Sequence, residues 1–476
     1  MSRRRLLLAV AFLLITFGLM IVVTGGFVTT AFGLRVSSRS PVPAVVLAFV
    51  TLVIWIGVAR RSGAVASDLA AADRWIARRN AMLVVLVAGL AAGVAAVFHT
   101  FSATGADASG YLSYTALLLD GALWRPEPLA SIVTWADGAA TLAPLGWRAA
   151  LEPGWQVPTS AIGLPLLMAP FHVLGGAAAA SLVVPVTRAA AVCATGLLAH
   201  RLAGGTAALI AATWLATSLV ALIEAMQVMS DVPATAAWLA CWWLVCTSRP
   251  LAAGGVAALA VLVRPNLAPL AILPALYLGV AARDVVPRLS RGVAFVRFSI
   301  LVALAGACVA YLQWRYFGSP VRSGYGTAEE IYALANIGPN ATLYTRRLLD
   351  THGPWLLAAP LALLVPASRL AGDSRREIRW LLAFAALVIL AYLIYAVFET
   401  WTYLRFMLPA MAIAMFPSWQ RHRLTSRPSS SPRAASGCAR APGVRACLSL
   451  SGPGHNYGRR TEGAEAPAPP GAKRED

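Results

Sequence analysis

The chain has 476 residues, 59% of them hydrophobic and 12% charged, with a net charge of +19 and a mean hydropathy of +0.69. Soluble domains carry roughly 25% charged residues, so this chain has too little polar surface to cover a water-soluble globule. Lys473 is the only lysine, and the arginines sit between apolar blocks, which fits cytoplasmic loop anchoring better than nucleic-acid binding.

The apolar blocks are too long and too little alternating for barrel strands of roughly 10 residues. They suit helices, which need about 20 residues to cross a bilayer. After Arg3-Arg4-Arg5 an apolar run extends to Gly33, too long for a signal-peptide core and without a clean cleavage site at Thr24–Thr30, so it reads as a first span with its N-terminus cytoplasmic. Val42–Val58 follows, then a loop with Arg60, Arg61, Arg74, Arg78 and Arg79 that marks the cytoplasmic side, and Ala81–Val97 travels outward. The stretch Phe101–Thr159 is half-apolar and rich in Trp, as expected of an extracytoplasmic loop with interfacial helices.

Further blocks cover Ile162–Leu174, Ala178–Leu198, Thr206–Ile223, Val232–Val245, Leu251–Val263 and Leu267–Ala281. A basic loop with Arg283, Arg288, Arg291 and Arg297 comes next, then Phe298–Phe317, a second outer loop from Gly318 to His352, and blocks at Trp355–Val365, Trp380–Val397 and Tyr403–Phe416, with Arg369, Arg375, Arg376 and Arg379 inside. Asp107 outside and Arg283 inside require an odd number of crossings. One of the six segments between them therefore does not cross, and Ile162–Leu174, interrupted by Pro165 and Pro170, is the best choice for a re-entrant or interfacial helix. The predicted fold is an all-α polytopic bundle of about 10–12 helices. Residues 1–80 hold two extra helices and a basic loop, residues 81–416 the main module with outer loops at 100–160 and 318–352, and residues 417–476 an Arg/Pro/Ser-rich stretch. That last stretch is either a disordered cytoplasmic tail or out-of-frame sequence behind a shortened last helix. Cys193, Cys241, Cys246 and Cys308 fall inside apolar blocks, and no CxxC pair exists among these four, Cys438 and Cys447. The four therefore read as packing residues.

Ionisable residues near the membrane are functional candidates by default. Asp107 lies in Thr104-Gly-Ala-Asp-Ala-Ser-Gly-Tyr111, where small neighbours leave a carboxylate accessible as a general base, or where it caps a helix. Glu224 and Asp231 form an acidic pair in a hairpin expected to face outward, with capping again the plain alternative. Arg264, in Val263-Arg-Pro265, and Arg405, in Tyr403-Leu-Arg-Phe-Met-Leu-Pro409, either grip a phosphate or snorkel to the interface.

In this order, Asp107, Gly163-Leu-Pro-Leu-Leu-Met-Ala-Pro-Phe171 with Gly175, Arg188, Met229-Ser-Asp-Val-Pro233, Val263-Arg-Pro265 and Tyr403–Pro409 resemble the GT-C membrane glycosyltransferases, on the protein-mannosyltransferase-like and lipid-A-arabinosyltransferase-like branch. The resemblance covers roughly residues 82–416. It implies transfer, with inversion, of a sugar from a polyprenyl-phosphate donor to an acceptor outside the cell membrane. Asp107 matches the acidic residue that activates the acceptor, and Glu224, Asp231, Arg264, Tyr403 and Arg405 would bind substrate. Many members carry an acidic pair at the first site. Here Ala108 holds the second position, so a divalent cation is left open and no other cofactor is implied. The rival from another class is a transporter or flippase of a lipid or amphiphile, which would show paired repeats and midplane charges. No repeat is evident and the charges sit at helix ends. An acyltransferase would want a reactive outer histidine, for which His99 and His352 are the candidates.

Overall fold

The computed structural model describes residues 3–24, 27–31, 34–38, 40–281, 291–353 and 374–414. Arg283, Arg288, the block Trp355–Val365, Arg369, Cys438, Cys447 and the 417–476 stretch lie outside these residues.

The first apolar run is helical only as α1 (Arg3–Thr24). Beyond it the β-branched residues of Val28-Thr29-Thr30 favour extended backbone, and β1 (Phe27–Ala31) pairs antiparallel with β2 (Leu34–Ser38) in place of the expected continuous helix. α2 (Val42–Arg61) returns alongside α1, so that Arg4 Nη1 donates to Ser62 Oγ at 3.0 Å. Arg4 also lies 3.9 Å from the buried Asp68 carboxylate, which ties the hairpin to α3 (Val65–Val97). α3 is longer than expected: the stretch with Arg74, Arg78 and Arg79 is helix and not loop.

The expected interfacial helices of the first loop reduce to α4 (Ala106–Leu119). The rest is mainly a three-stranded antiparallel sheet in the order β3 (Arg125–Pro126), β5 (Trp155–Pro158), β4 (Trp147–Ala149), with a single turn of helix, α5 (Gly138–Thr141), before β4. The sheet sits on α4 through a close approach of Gly110 and Gly146. Gly146 has φ +85°, and a Cβ there would overlap the α4 backbone.

α6 (Gly163–Ser181) runs past the expected end at Leu174, and its nineteen residues are long and apolar enough to cross a membrane. Its backbone, however, leaves the helix at Gly175 and Gly176, the latter with φ 65°. Leu164 and Met168 before this break and Ala180 after it share one buried cluster with Ala108, Tyr111, Val183 and Val228. The break at Gly175 and Gly176 thus divides the segment into two helical parts that both reach this cluster.

α7 (Val183–Ala203), α8 (Gly205–Thr217), α9 (Leu219–Ala225), α10 (Asp231–Cys246) and α11 (Pro250–Val263) form the centre of the bundle with α3. Alanines 88, 91, 95, 191, 194, 208, 211 and 212 are buried there, and Gly196 faces Val84. Small residues let helix backbones approach where lipid offers no hydrophobic drive. Trp238, Trp242 and Tyr277 pack with Phe384 of α16 (Ser374–Leu393) as an aromatic block. Cys241 and Cys246 are buried and Cys193 half-buried, but Cys308, on α13 (Arg291–Phe317), is exposed.

Proline shapes the segment after α11. Pro265, Pro269 and Pro274 divide the expected Leu267–Ala281 span into a 3₁₀ stretch (Pro265–Ala271), α12 (Ile272–Leu276) and a π turn (Tyr277–Ala281). The second loop holds α14 (Ala328–Ile331) and the amphipathic α15 (Ile337–His352), which buries Asn340 and Tyr344. The expected block at Tyr403–Phe416 is a 3₁₀ stretch (Trp401–Met407) followed by α17 (Leu408–Ala414).

Among the described residues α2, α3, α6, α7 and α13 are long and apolar enough to cross a membrane, and α8 with α9, bent by 59°, adds a sixth. Four further apolar stretches run 10–17 residues, which is why full-length spans are fewer than the sequence reading expected. Val45, Val46, Leu47 and Phe49 on α2, Met82, Val85 and Leu86 on α3, and Ile300, Leu304 and Trp314 on α13 are exposed. Outward faces this apolar mark a membrane protein.

Candidate functional site

The site forms where four interruptions of the bundle meet. Gly105, with φ +99°, is the residue before α4, so Asp107 enters in the first helical turn with no capping hydrogen bond of its own. Its carboxylate is used elsewhere. Tyr325 Oη donates to Asp107 Oδ1 at 3.0 Å, and Arg405 Nη2 donates to Asp107 Oδ2 at 3.3 Å.

The second interruption is the gap between α9 and α10. α8 and α9 part at Ser218, whose side chain caps α9 by accepting from Ala221 N. The carbonyls of Ala216 and Ala221, on either side of this break, accept from the guanidinium of Arg188, which is 2% exposed. That arginine therefore fixes the bend and, through it, the end of α9 that carries Glu224. Ser230 stands before α10 and makes no cap bond, leaving Asp231 in the first turn. Glu224 and Asp231 are both buried.

The third and fourth interruptions bring the arginines. Arg264 ends α11 where Pro265 stops the helix, and its guanidinium pairs with Asp231 Oδ1. It also stacks 5.0 Å from the centroid of Phe406. Arg405, in the 3₁₀ stretch, is 3.8 Å from Asp231 and 3.9 Å from Glu224 in addition to Asp107. Its guanidinium lies 5.0 Å from the Tyr403 ring and 5.5 Å from Phe406. The two arginine side chains are only 13% and 12% exposed, so neither snorkels.

All six residues selected from the sequence thus belong to one neighbourhood, Tyr403 as a flanking ring and the other five as charges. Three carboxylates face two guanidiniums. Arg405 is the least satisfied: its contacts are 3.3 Å or longer, one of them to Met229 Sδ at 3.7 Å, and its Nε has no hydrogen-bond acceptor among the described residues. Close charge-assisted bonds measure about 2.7–2.9 Å, so this guanidinium keeps donors to offer. The carboxylates converge on guanidiniums. Among the described residues no three His, Cys, Asp or Glu side chains form a group able to hold a metal.

Asp107 opens into a cleft of about 830 Å³ between the two loops, lined also by Trp147, Ser160, Tyr316, Arg322 and Tyr325. That size suits a small-molecule or sugar ligand. His352 does not join the cluster: its Nε2 pairs with Ser218 Oγ at 2.8 Å and its Nδ1 with Thr351 Oγ1 at 2.7 Å. His99 is buried edge-on to Phe101. Sequence reasoning missed Tyr325. The signal was available in Ser323-Gly-Tyr-Gly326, an aromatic residue between glycines in a polar loop, which is the pattern of a tight turn presenting a side chain.

No family model, no curated protein and no solved structure matches the chain.

Proposed function

We propose that the protein is an integral membrane glycosyltransferase that moves a sugar from a polyprenyl-phosphate donor to a hydroxyl acceptor at the outer face of the cell membrane. The observation that carries this reading is the under-satisfied, buried Arg405 beside an accessible carboxylate at the edge of a cleft. Buried polar groups are normally paired, and a guanidinium with donors to spare is suited to a phosphate oxygen. The ordered resemblance of residues 82–416 to the GT-C enzymes supports the same reading.

In this mechanism the acceptor hydroxyl lies against Asp107, which takes its proton as the new bond forms to the anomeric carbon. The bond from that carbon to the phosphate oxygen breaks with its electron pair, and attack from the opposite face inverts the centre. Arg264 and Arg405 meet the charge that grows on the departing phosphate, an interaction worth several kcal/mol in a low-dielectric site. The proton gained by Asp107 removes one negative charge as the leaving phosphate acquires one, so a cluster with three carboxylates and two guanidiniums need not gather further charge. An arriving phosphate also competes for the 3.3 Å contact between Arg405 and Asp107, so donor binding frees the base.

The test is Asp107→Asn in the full-length protein. With undecaprenyl-phosphate sugars labelled one at a time, wild type consumes one of them, and the variant inserts normally but loses about 100-fold or more in transfer, the scale of a lost general base. Near-wild-type turnover in Asp107→Asn removes that residue from the mechanism. A wild type that moves labelled lipid across vesicles without cleaving it replaces the enzyme by a flippase.

A further inference from the structure

Tyr325 is held with more care than a surface loop needs. Ser323 N donates to Gly326 O at 3.0 Å and Gly326 N to Ser323 O at 3.1 Å, closing a two-residue turn with Gly324 and Tyr325 at its tip. The Ser323 hydroxyl accepts from Tyr325 N at 3.2 Å and donates to Gly326 O at 3.2 Å. Gly326 has φ +130°, open only to glycine in practice. A Cβ on Gly324 would come within 2.6 Å of Thr159 Cα, so the tip of the second loop is seated on the backbone of the first.

From this tip the phenol donates to Asp107 Oδ1 at 3.0 Å. Burial around the phenol, then the neighbouring Tyr111 and Asp107, push its pKa well above the ordinary value, so the hydroxyl stays protonated and donates to the carboxylate. The residue is itself 50% exposed and lines the cleft. Apolar burial therefore does not explain where it points. A hydroxyl about 2.6–3.2 Å from a general base is the position of a reacting acceptor.

We propose that the Tyr325 hydroxyl occupies the place of the acceptor hydroxyl on Asp107 Oδ1 and keeps water from that oxygen until an acceptor displaces the phenol. Tyr325 is then a specificity residue that selects transfer over hydrolysis of the donor. The idea rests on the reading of Asp107 as the base. Removing the phenol oxygen leaves room beside Asp107 for a water molecule, which would deliver the donor's sugar to solvent: the water oxygen bonds to the anomeric carbon, its proton passes to Asp107, and the polyprenyl phosphate leaves.

The experiment uses the full-length protein in lipid nanodiscs, with Tyr325→Phe and, should that variant fold poorly, Gly324→Ala, which shifts the turn and keeps the hydroxyl. Modification of Asp107 by a water-soluble carbodiimide with glycinamide, read by mass spectrometry, is expected to rise several-fold in both variants. Release of free sugar from labelled undecaprenyl-phosphate sugars is expected to rise about tenfold relative to acceptor-dependent transfer, the scale of one lost charge-assisted hydrogen bond. Unchanged carbodiimide labelling overturns the place-holder role, as does loss of acceptor-dependent transfer in Tyr325→Phe, which would make the phenol part of the chemistry. A wild type that consumes none of the labelled lipids sinks the transferase reading instead, whatever the labelling shows.

Discussion

Replacing Arg405 by alanine removes a guanidinium 3.3 Å from Asp107, 3.8 Å from Asp231 and 3.9 Å from Glu224. The three carboxylates would not suffer equally. Asp107 is 27% exposed and keeps Tyr325, and Asp231 keeps Arg264. Glu224 is 1% exposed, and among the described residues its remaining partner is Gln227 Nε2 at 3.4 Å. Removing one partner of a buried pair costs about 3–5 kcal/mol, because the charge left behind has no water. A carboxyl group can escape part of that by taking up a proton, so the low end, about 3 kcal/mol, is the expected loss. Adding Glu224→Gln to Arg405→Ala removes the stranded charge and keeps the shape, and it should return roughly 2 kcal/mol, within the range of coupling between contacting residues. The assay is unfolding of the four proteins in detergent, followed by intrinsic tryptophan fluorescence. If Glu224→Gln deepens the defect of Arg405→Ala, Arg405 is not the counter-charge of Glu224 and the electrostatic account of the cluster fails.

Arg264→Lys keeps the charge but loses the Nη1 bond to Asp231 Oδ1 and the stacking on Phe406. Donor KM should rise about tenfold with acceptor KM unchanged, and wild-type kinetics would show that a point charge suffices there. Gly163→Ala would drive a Cβ into the backbone of Leu262 and Val263, pushing α6 off α11 next to Arg264. A loss of about 1–3 kcal/mol is expected, and an unchanged unfolding midpoint would contradict the packing described. Burial lowers the pKa of His352 below its ordinary 6.5, so its neutral form is the folded one. The stability it contributes is present above about 6.5 and is lost as pH falls from there through the lowered folded value. His352→Gln should therefore flatten the acid side of the unfolding profile, and an unaltered profile would mean the Ser218 contact does not depend on the neutral ring.

The site was more legible in the sequence than the spans were. Asp107, Glu224, Asp231, Arg264 and Arg405 stood out because charge is scarce in this chain, and each is flanked by small, proline or aromatic residues that mark a helix end. Capping and snorkelling were equally plain readings of each residue alone. What brings the residues together is long-range: residues 107 and 405 meet through Arg405 Nη2 and Asp107 Oδ2, and no local pattern encodes that approach. Tyr325 escaped for the same reason, since its turn was readable but its partner lies on another loop. The β1–β2 hairpin and the small sheet after α4 were missed because overall hydrophobicity outweighed the β-branched and glycine signals within those stretches.

The errors in the spans and the meeting of these charged residues have one physical source. A continuous apolar helix satisfies its own backbone and offers nothing polar to a ligand. Function requires interruptions, and in this chain they fall at Gly105, at the gap from Ala225 to Ser230, at Arg264-Pro265 and in the 3₁₀ stretch Trp401–Met407. Each shortens the apolar run that hydropathy detects, and each leaves a charged or polar residue at the broken end. Other irregular stretches nearby are also met by protein: Arg188 takes the Ala216 and Ala221 carbonyls on either side of the α8–α9 bend, and Asn340 Nδ2 takes those of Leu393 and Tyr395 at the end of α16, at 3.1 and 2.7 Å. Irregular backbone within a bundle is tolerated when it is buried in protein or lines a cavity. Here it does both, with Asp107 opening into the 830 Å³ cleft and Glu224 and Asp231 buried behind it. The short helices α10 and α11, poor as spans, hold Asp231 and Arg264 at a common level because each begins or ends there.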